Sequence, residues 1–251
     1  MVSTDLIRTI VGIIGNAISL GLFLSPVPTF ITIWKKKDVE QFSPVTYLAT
    51  FLNCMLWVLY GLPIVHPNST LVLTINGTGV VIELVFISIF LLFSTGPKRL
   101  KVFLVFVGEV AFVGVFGALI ISLLHTEGRR STAVGVVCIV FCIMMYVAPL
   151  AVMKMVIQTK SVEYMPLYIS VASFFNGVSW TIYALLRFDA NILIPNGIGL
   201  VFSVAQLVLY AIYYKSTQRQ LEARRKGEVG LTQVVVRGEA NNKIGNGNET
   251  R

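Results

Sequence analysis

Charged residues are scarce in this chain of 251 residues, where they make up 13% of the total, against roughly a quarter in ordinary soluble domains. Hydrophobic residues make up 55%, more than a single core of this length can hide from water. The sequence also lacks a Ser-His-Asp set, a metal-ligand cluster and a phosphate-binding loop. We therefore expect a protein of the lipid bilayer that is not an enzyme, and no cofactor is indicated.

Cysteine is scarce too, and its three positions, Cys54, Cys138 and Cys142, all fall in apolar stretches. This is not the even-numbered framework that crosslinks secreted domains, so we interpret the three thiols as packing residues. The formal charge of +8 would suit nucleic acid only on a basic face of a soluble fold. Here the basic residues lie in short connections, and no nucleic-acid partner is expected.

Seven segments are long and apolar enough to cross a bilayer, which needs roughly 20 residues per helix. They run from Thr9 to Trp34, Gln41 to Val65, Leu71 to Phe93, Val102 to Leu124, Ser131 to Met153, Tyr164 to Leu186, and Ala190 to Tyr214. The first is too long for a removable signal peptide. The fold class predicted is an all-α membrane protein with seven transmembrane helices.

Basic residues are distributed unevenly between the two sides of this arrangement. Thirteen Lys and Arg residues up to position 226 fall on one side, and only Arg8, Arg129, Arg130 and Arg187 fall on the other. The positive-inside rule then predicts an outside amino terminus and a cytoplasmic carboxyl terminus. The sequon at Asn68 would lie in an outside loop as a glycosylation candidate, and residues 215–251 are expected to form a disordered cytoplasmic tail.

An internal repeat divides the chain. A shift of 123 positions between residues 26 and 60 aligns nine identities in 35 positions, well above the two or three that residue usage supplies. The identical pairs include Pro26 with Pro149, Asn53 with Asn176, Trp57 with Trp180 and Tyr60 with Tyr183, and an offset of 120 then pairs Asn76 with Asn196.

The repeat predicts two three-helix units, residues 1–95 and 129–214, joined by a linking helix over 96–128. Because three crossings end on the opposite side, the linking helix returns the chain and makes the two units parallel. Equivalent residues then stand at equal depth on opposite walls of a shared cavity. That geometry suits a transport path.

Five motifs resemble those of the plant SWEET sugar transporters, over residues 5 to about 214. They are LSPVPTF at 24–30, WVLYGLP at 57–63, TINGTG at 74–79, TKSVEYMP at 159–166 and IPNG at 194–197. The likeness is closest to the group associated with hexoses. It implies a monosaccharide substrate such as glucose, the plasma membrane and a homo-oligomer.

Asn76 and Asn196 each lie inside an otherwise apolar helix. An unpaired buried amide costs about 1–3 kcal/mol, so this matched pair must be satisfied by each other, by backbone or by a wet cavity. Trp57 and Trp180 offer aromatic plates that can pack on the C–H face of a sugar ring, although tryptophan also anchors helices at the membrane interface.

The resemblance places these four residues in a central sugar pocket and implies that Leu22, Asn53, Met145 and Asn176 complete its wall. An Asn53–Asn176 pair takes more room than a pair of serines and leaves less space for a second ring. A monosaccharide is therefore favoured. The alternative for these two residues is a pair of hydrogen bonds between helices.

Proline inside a helix removes a hydrogen bond, so Pro26 and Pro149 are expected to kink helices one and five at matched places. The family pattern has four such prolines. This chain matches it at Pro26, Pro149 and Pro166 but carries Thr46 at the fourth position, with Pro44 two residues earlier. These positions are candidate hinges, and static kinks are the alternative.

Tyr60, Tyr183 and Asp189 align with the family's extracellular gate, in which a phenol and a carboxylate close the path by hydrogen bonding. Interfacial tyrosine is also common without such a role.

The sequence thus favours a uniporter that moves a hexose down its gradient by alternating access. A proton-coupled transporter would use Glu83 or Glu109, the carboxylates inside predicted spans. Neither has a carboxylate mate, because Glu83 aligns with Ser203 and Glu109 lies in the linking helix. A seven-helix receptor would share the helix count and the outside amino terminus but not the duplicated unit.

Overall fold

The computed structural model describes the backbone of residues 3–246 and the side chains of residues 3–226. The regular structure in this part of the chain is helical, with short connections and no strand. Its helices are α1 (Thr4–Phe23), α2 (Val27–Lys36), α3 (Val45–Gly61), α4 (Thr70–Phe93), α5 (Gly96–Leu123), α6 (Glu127–Met145), α7 (Val147–Thr159), α8 (Leu167–Leu186) and α9 (Ala190–Asn246).

These helices form seven spans. Six are long and apolar enough to cross a membrane, with α1–α2 and α6–α7 each counted as one, and the 17-residue α3 is a shorter apolar helix. Many large apolar side chains are exposed, from Leu6 on α1 to Ile212 on α9, as expected where lipid replaces water. The predicted all-α membrane fold is confirmed.

The two interrupted spans break within three residues of equivalent positions. The first is broken at Leu24–Pro26 and the second at Tyr146. Pro26 precedes α2 and Pro149 lies in the first turn of α7, where the absent N–H costs no helical hydrogen bond. The breaks lie where the sequence predicts kinks, and a hinge role there stays a prediction.

The helix contacts repeat with the sequence. In the first unit α4 packs between α1 and α3, and in the second α9 packs between α6 and α8. The units meet through two equivalent pairs, α1 with α8 and α3 with α6. The helix α5 belongs to neither unit and packs on α3, α4 and α6. The predicted architecture of two parallel three-helix repeats with a linking helix is confirmed.

The two ends of the bundle differ in how the repeats are joined. We call the end with the start of α1 and the α3–α4, α5–α6 and α8–α9 connections the amino-terminal face, and the other end the opposite face. Near the amino-terminal face one apolar core spans both repeats, from Leu56 and Tyr60 to Val134 and Tyr183. Toward the opposite face each repeat has a core of its own. Neither α2 nor α3 contacts α7 or α8 there.

The chain departs from prediction after Tyr214. A disordered tail was expected over residues 215–251, but α9 continues without a break to Asn246. The first residues of the expected tail have a tertiary contact, since the hydroxyl of the buried Thr217 accepts a hydrogen bond from the Val162 N–H at 2.8 Å. Composition alone does not reveal such a contact. The last part of the predicted tail, residues 247–251, lies outside the described residues.

Three further predicted positions lie in connections or first turns. Thr46 is exposed in the first turn of α3, directly after Pro44, and Pro166 immediately precedes α8. Asn68 is exposed in the α3–α4 connection with a left-handed φ of 62°. The hinge roles and glycosylation of Asn68 stay predictions.

Candidate functional site

A central cavity of about 170 Å³ lies between the two repeats. Six of the eight predicted wall residues line it: Asn53, Trp57, Asn76, Asn176, Trp180 and Asn196. Asn76 and Asn196 each lie six residues after the first residue of their helix, about 9 Å along its axis. This equal spacing from the helix starts agrees with the predicted equal depth of the two residues.

The two central amides are held in the same way. Asn76 donates from Nδ2 to the Val72 carbonyl at 2.9 Å, and Asn196 donates to the Ile192 carbonyl at 2.8 Å. Each bond returns to the preceding turn of the same helix and uses one of the two amide hydrogens. One N–H and the oxygen of each amide stay available to a polar molecule in the cavity.

Each indole is tied to the other repeat. Trp57 on α3 donates from Nε1 to the Cys142 sulfur on α6 at 3.4 Å. Trp180 on α8 donates to the Ser19 hydroxyl on α1 at 3.2 Å. Both rings are nearly buried, at 7% and 6% exposed. The two plates are thus fixed across the repeat boundary by equivalent hydrogen bonds.

Asn53 and Asn176 complete the same pattern one helical turn before the indoles. The Cys142 thiol donates to the Asn53 oxygen at 3.3 Å, and the Ser19 hydroxyl donates to the Asn176 oxygen at 2.6 Å. One side chain in each repeat therefore links a tryptophan and an asparagine of the other. Hydrogen bonds between helices were the alternative role for Asn53 and Asn176, and both bonds are of that kind. Both amides also line the cavity.

Sequence reasoning missed Ser19 and overlooked Cys142 as a polar partner. The positions are 123 residues apart, but they differ in residue type, so a count of identities skips them. A search for residues of similar hydrogen-bonding capacity at that offset would have paired them. Cys142 is therefore more than the packing residue that its apolar setting suggested.

A second pair of equivalent contacts, between an aromatic ring and a glycine, lies at the cavity wall. Phe23 packs on Gly79 and Tyr146 packs on Gly199, so closely that a Cβ atom would lie 2.8 Å from a Phe23 ring carbon and 2.6 Å from the Tyr146 hydroxyl oxygen. The Tyr146 hydroxyl also donates to the Pro195 carbonyl at 2.5 Å. An alanine at either position would therefore have to displace the side chain that packs there.

The other two predicted wall residues do not line the central cavity. Leu22 lines a neighbouring cavity of about 200 Å³ that shares Tyr146, Asn176 and Asn196 with it and extends toward the opposite face. Met145 faces a lateral groove between α3, α5 and α6. Met145, the last residue of α6, therefore lies outside the wall of the central cavity, which the sequence could not indicate.

The cavity is closed toward the amino-terminal face. The Tyr60 hydroxyl donates to Asp189, at 2.8 and 2.9 Å from its two oxygens. Asp189 also accepts from the backbone N–H groups of Asn191 and Ile192, so the start of α9 fixes its position. Two of the three predicted gate residues are therefore in direct contact.

His66 adds a titratable group that sequence reasoning did not place at this closure. Its ring stacks on Tyr60 at 4.8 Å, Nε2 lies 3.3 Å from an Asp189 oxygen, and Nδ1 lies 2.7 Å from the Ser131 hydroxyl. Burial lowers the pKa of His66 below its ordinary value of 6.5; Asp189 and Glu127 oppose this, and Arg8 adds to it.

Tyr183, the third predicted gate residue, is 2% exposed and contacts a different partner. The Arg8 guanidinium lies 4.0 Å from its ring centroid and donates to the Asn68 carbonyl at 3.2 Å. Arg8 thereby joins α1 to α8 and to the α3–α4 connection. Like His66, it was missed, because a single basic residue near a chain terminus carries no distinctive pattern.

Glu83 and Glu109 lie away from the central cavity. Glu83 is 3% exposed on α4, and Glu109 lines the lateral groove. Neither contributes to the wall of the cavity.

The chain matches known proteins over most of its length. A family described as "Sugar efflux transporter for intercellular exchange" matches residues 9–98 and 132–218, two segments that begin 123 positions apart. A rice protein (Oryza sativa subsp. japonica) named bidirectional sugar transporter SWEET4 is 62% identical over 245 residues, 96% of this chain and 95% of that protein.

Two further similarities are informative. The bidirectional sugar transporter SWEET7 of Arabidopsis thaliana is 56% identical over 236 residues, 93% of this chain and 92% of that protein. The solved structure of a eukaryotic SWEET transporter superposes with a TM-score of 0.82 at 38% identity, covering 84% of this chain and 99% of that one.

The bridging role of Cys142 predicts the effect of substitution. Cys142→Val leaves the Trp57 N–H and the Asn53 oxygen unpaired, which we expect to cost about 1–3 kcal/mol and to lower the Tm of the detergent-solubilised protein by several degrees. Cys142→Ser keeps a donor and acceptor and should retain most of the stability. Cys138→Val, at a fully buried thiol one turn earlier in the apolar core, is the control. Equal Tm values for the two valine variants would contradict the bridge.

The lowered pKa of His66 predicts a pH dependence of stability. Above about pH 6.5 the imidazole is neutral in the folded and unfolded chains, so it adds no pH dependence. As the pH falls below that value the unfolded chain binds the proton first, which destabilises the fold by up to about 1.4 kcal/mol per pH unit.

The measurement is the Tm difference between the native chain and His66→Gln from pH 8 to pH 5. The native chain should lose stability relative to the variant only at acidic pH. A Tm difference that stays constant across this range, or that moves in favour of the native chain on acidification, would show that the prediction is wrong.

Proposed function

The chain belongs to the SWEET family of sugar transporters, and from this premise we propose that it carries a monosaccharide, glucose or another hexose, down its gradient by alternating access. It is an integral membrane protein, and its family comprises transporters rather than enzymes. The observation that carries the proposal is the duplicated lining of the central cavity. Asn76 and Asn196 present free amide groups, and Trp57 and Trp180 are fixed beside them.

The chemistry of this lining suits a sugar that must bind weakly and leave quickly. Amide groups exchange hydrogen bonds with ring hydroxyls, while an indole packs on the apolar C–H face. A millimolar dissociation constant corresponds to about 4 kcal/mol. One stacked ring and a few net hydrogen bonds of about 1 kcal/mol each supply that amount.

Two features support alternating access. Tyr60 and Asp189 close the cavity toward the amino-terminal face, with Tyr183 buried beside them. Toward the opposite face the repeats have separate cores and the second cavity continues from the first. The arrangement corresponds to a carrier closed on one side, and rocking of the two repeats about the central site would exchange the open side.

The asparagine pair supports a monosaccharide. The Asn53 and Asn176 oxygens are held by Cys142 and Ser19, so neither side chain is free to swing aside for a second sugar ring. The volume that the amides occupy is therefore unavailable to a disaccharide.

The charge asymmetry supports an outside amino-terminal face and a cytoplasmic opposite face. The exposed sequon at Asn68 would then be reachable by a glycosyltransferase. The plasma membrane and a homo-oligomeric state rest on family likeness. Hinge roles for Pro26, Pro149, Pro166 and Thr46 belong to the same proposal.

Removing either central amide tests the pocket. Asn76→Ala and Asn196→Ala should each lower glucose flux at least tenfold in transport-deficient cells, because each loses the groups that face the cavity. Surface abundance, measured by biotinylation, should stay near that of the native chain. Asn16→Ala is the matched control: its amide lies on α1 and bonds to Thr74 outside the cavity wall.

Normal glucose flux in both cavity variants would refute the assigned pocket. Purified protein in liposomes tests uniport separately. The final internal glucose concentration should equal the external one and should not change when a protonophore collapses a proton gradient. Accumulation above equilibrium that the protonophore abolishes would favour the proton-coupled alternative.

Shortening the asparagine pair tests substrate size. Asn53→Ser combined with Asn176→Ser opens room beside the indoles, so the ratio of sucrose to glucose uptake should rise about fivefold, equivalent to roughly 1 kcal/mol. Tracer uptake of both sugars in the same cells measures the ratio, with Asn16→Ser as the control. An unchanged ratio would remove these two residues from substrate selection.

A further inference from the structure

A lateral groove of about 470 Å³ opens between α3, α5 and α6, separate from the transport cavity. It shares no lining residue with the central cavity. Its walls are largely apolar, with Leu48, Leu52, Val102, Phe141 and Met144 among the lining side chains. A groove of this kind between membrane helices must be filled by hydrocarbon, since an apolar void forfeits its packing contacts.

The end of the groove at the opposite face is basic. Lys98 and Lys101, in the first turns of α5, both line it. The Lys98 ammonium is fixed by the α2–α3 connection, donating to the carbonyls of Glu40 and Phe42 at 3.1 and 3.2 Å. The two carbonyls use two of the three ammonium donors, and the ammonium also lies 5.2 Å from the Phe90 ring centroid. The exposed Lys101 lies one turn further along α5.

The polarity of the groove therefore changes along its length in the order found in a phospholipid. Two cations stand at the membrane boundary and apolar walls follow toward the interior. Glu109, the acidic residue of the lining, lies eight residues beyond Lys101, about 12 Å along α5. It stands at the depth of acyl chains rather than of a headgroup, so it does not oppose an anion at the lysines.

We infer that this groove is a binding site for one anionic phospholipid, with its phosphate at Lys98 and Lys101 and an acyl chain between α3 and α6. Basic pockets between membrane helices suit acidic headgroups. The lipid would lie where one repeat meets the other and beside Met145, the last residue before the α6–α7 break.

A second copy of the chain fits the groove less well. The opposite face of the bundle carries most of the basic residues of the sequence. A second copy in the same orientation would therefore bring like charge to Lys98 and Lys101. An anionic lipid brings opposite charge to them.

Native mass spectrometry of the full-length purified protein tests the site. Detergent solutions are supplemented with phosphatidylglycerol or phosphatidylcholine of the same acyl chains, and the retained lipid is compared. The native chain should retain phosphatidylglycerol preferentially. Lys101→Gln should reduce that preference about fivefold, the factor expected for one lysine near an anionic headgroup. Lys154→Gln, which removes an exposed cation from α7 outside the groove, should leave it unchanged.

Blocking the apolar part tests the acyl chain. Ala49→Trp fills the groove and should abolish preferential retention. Val45→Trp, on the rim at 66% exposed, is the second variant if the first does not elute as a folded monodisperse protein. Millimolar inorganic phosphate should not displace the lipid, because the anion alone lacks the hydrocarbon contact.

Three outcomes would overturn the inference. Equal loss in Lys101→Gln and Lys154→Gln would indicate general surface charge. If the tryptophan variants still retain phosphatidylglycerol, or if inorganic phosphate displaces it, the lysines bind a headgroup or a free anion and the groove holds no acyl chain. Absence of retained lipid, together with an oligomer that the tryptophan variants dissociate, would assign the groove to a second copy of the chain.

Discussion

The arrangement of the central site depends on satisfying polar side chains inside an apolar bundle. Six such side chains form two equivalent sets, in which Ser19 and Cys142 each accept from an indole and donate to an asparagine of the other repeat. Because an unpaired polar group in this setting is costly, these bonds hold the two walls in register. Asn76 and Asn196 bond only to their own helices and keep groups free for a ligand.

The near-symmetry of the repeats does not extend to the contacts of two tyrosines at the amino-terminal face. Tyr60 and Tyr183 occupy equivalent positions and make edge-to-face contacts with equivalent tryptophans at centroid distances of 5.3 and 5.2 Å. Tyr60 bonds to Asp189, whereas Tyr183 lies under Arg8. The contacts that join the repeats at the amino-terminal face therefore include residues outside the duplicated pattern. They can hold the repeats together at this face while the repeats keep separate cores toward the opposite face.

Much of this architecture was predictable because it is encoded in periodicity and repetition. Long apolar segments give the spans, and the offset of 123 residues identifies the paired wall positions. Prediction failed where contacts between distant segments decide the outcome. Met145 lines the lateral groove, α9 continues past Tyr214, and His66 joins the gate through the fold of the α3–α4 connection.

The sequence by itself determined that the protein lies in a lipid bilayer, how many helices cross it, that a three-helix unit is duplicated, and which residue types occur at the cavity. Each of these follows from composition or from spacing along the chain. Only the tertiary structure decided which polar groups satisfy one another and which remain free. The two asparagine pairs illustrate the difference: they are equally polar, but Asn53 and Asn176 face a bonding partner across the repeat boundary and Asn76 and Asn196 do not. Hydrogen bonding depends on distance and direction in space, which a linear sequence does not contain.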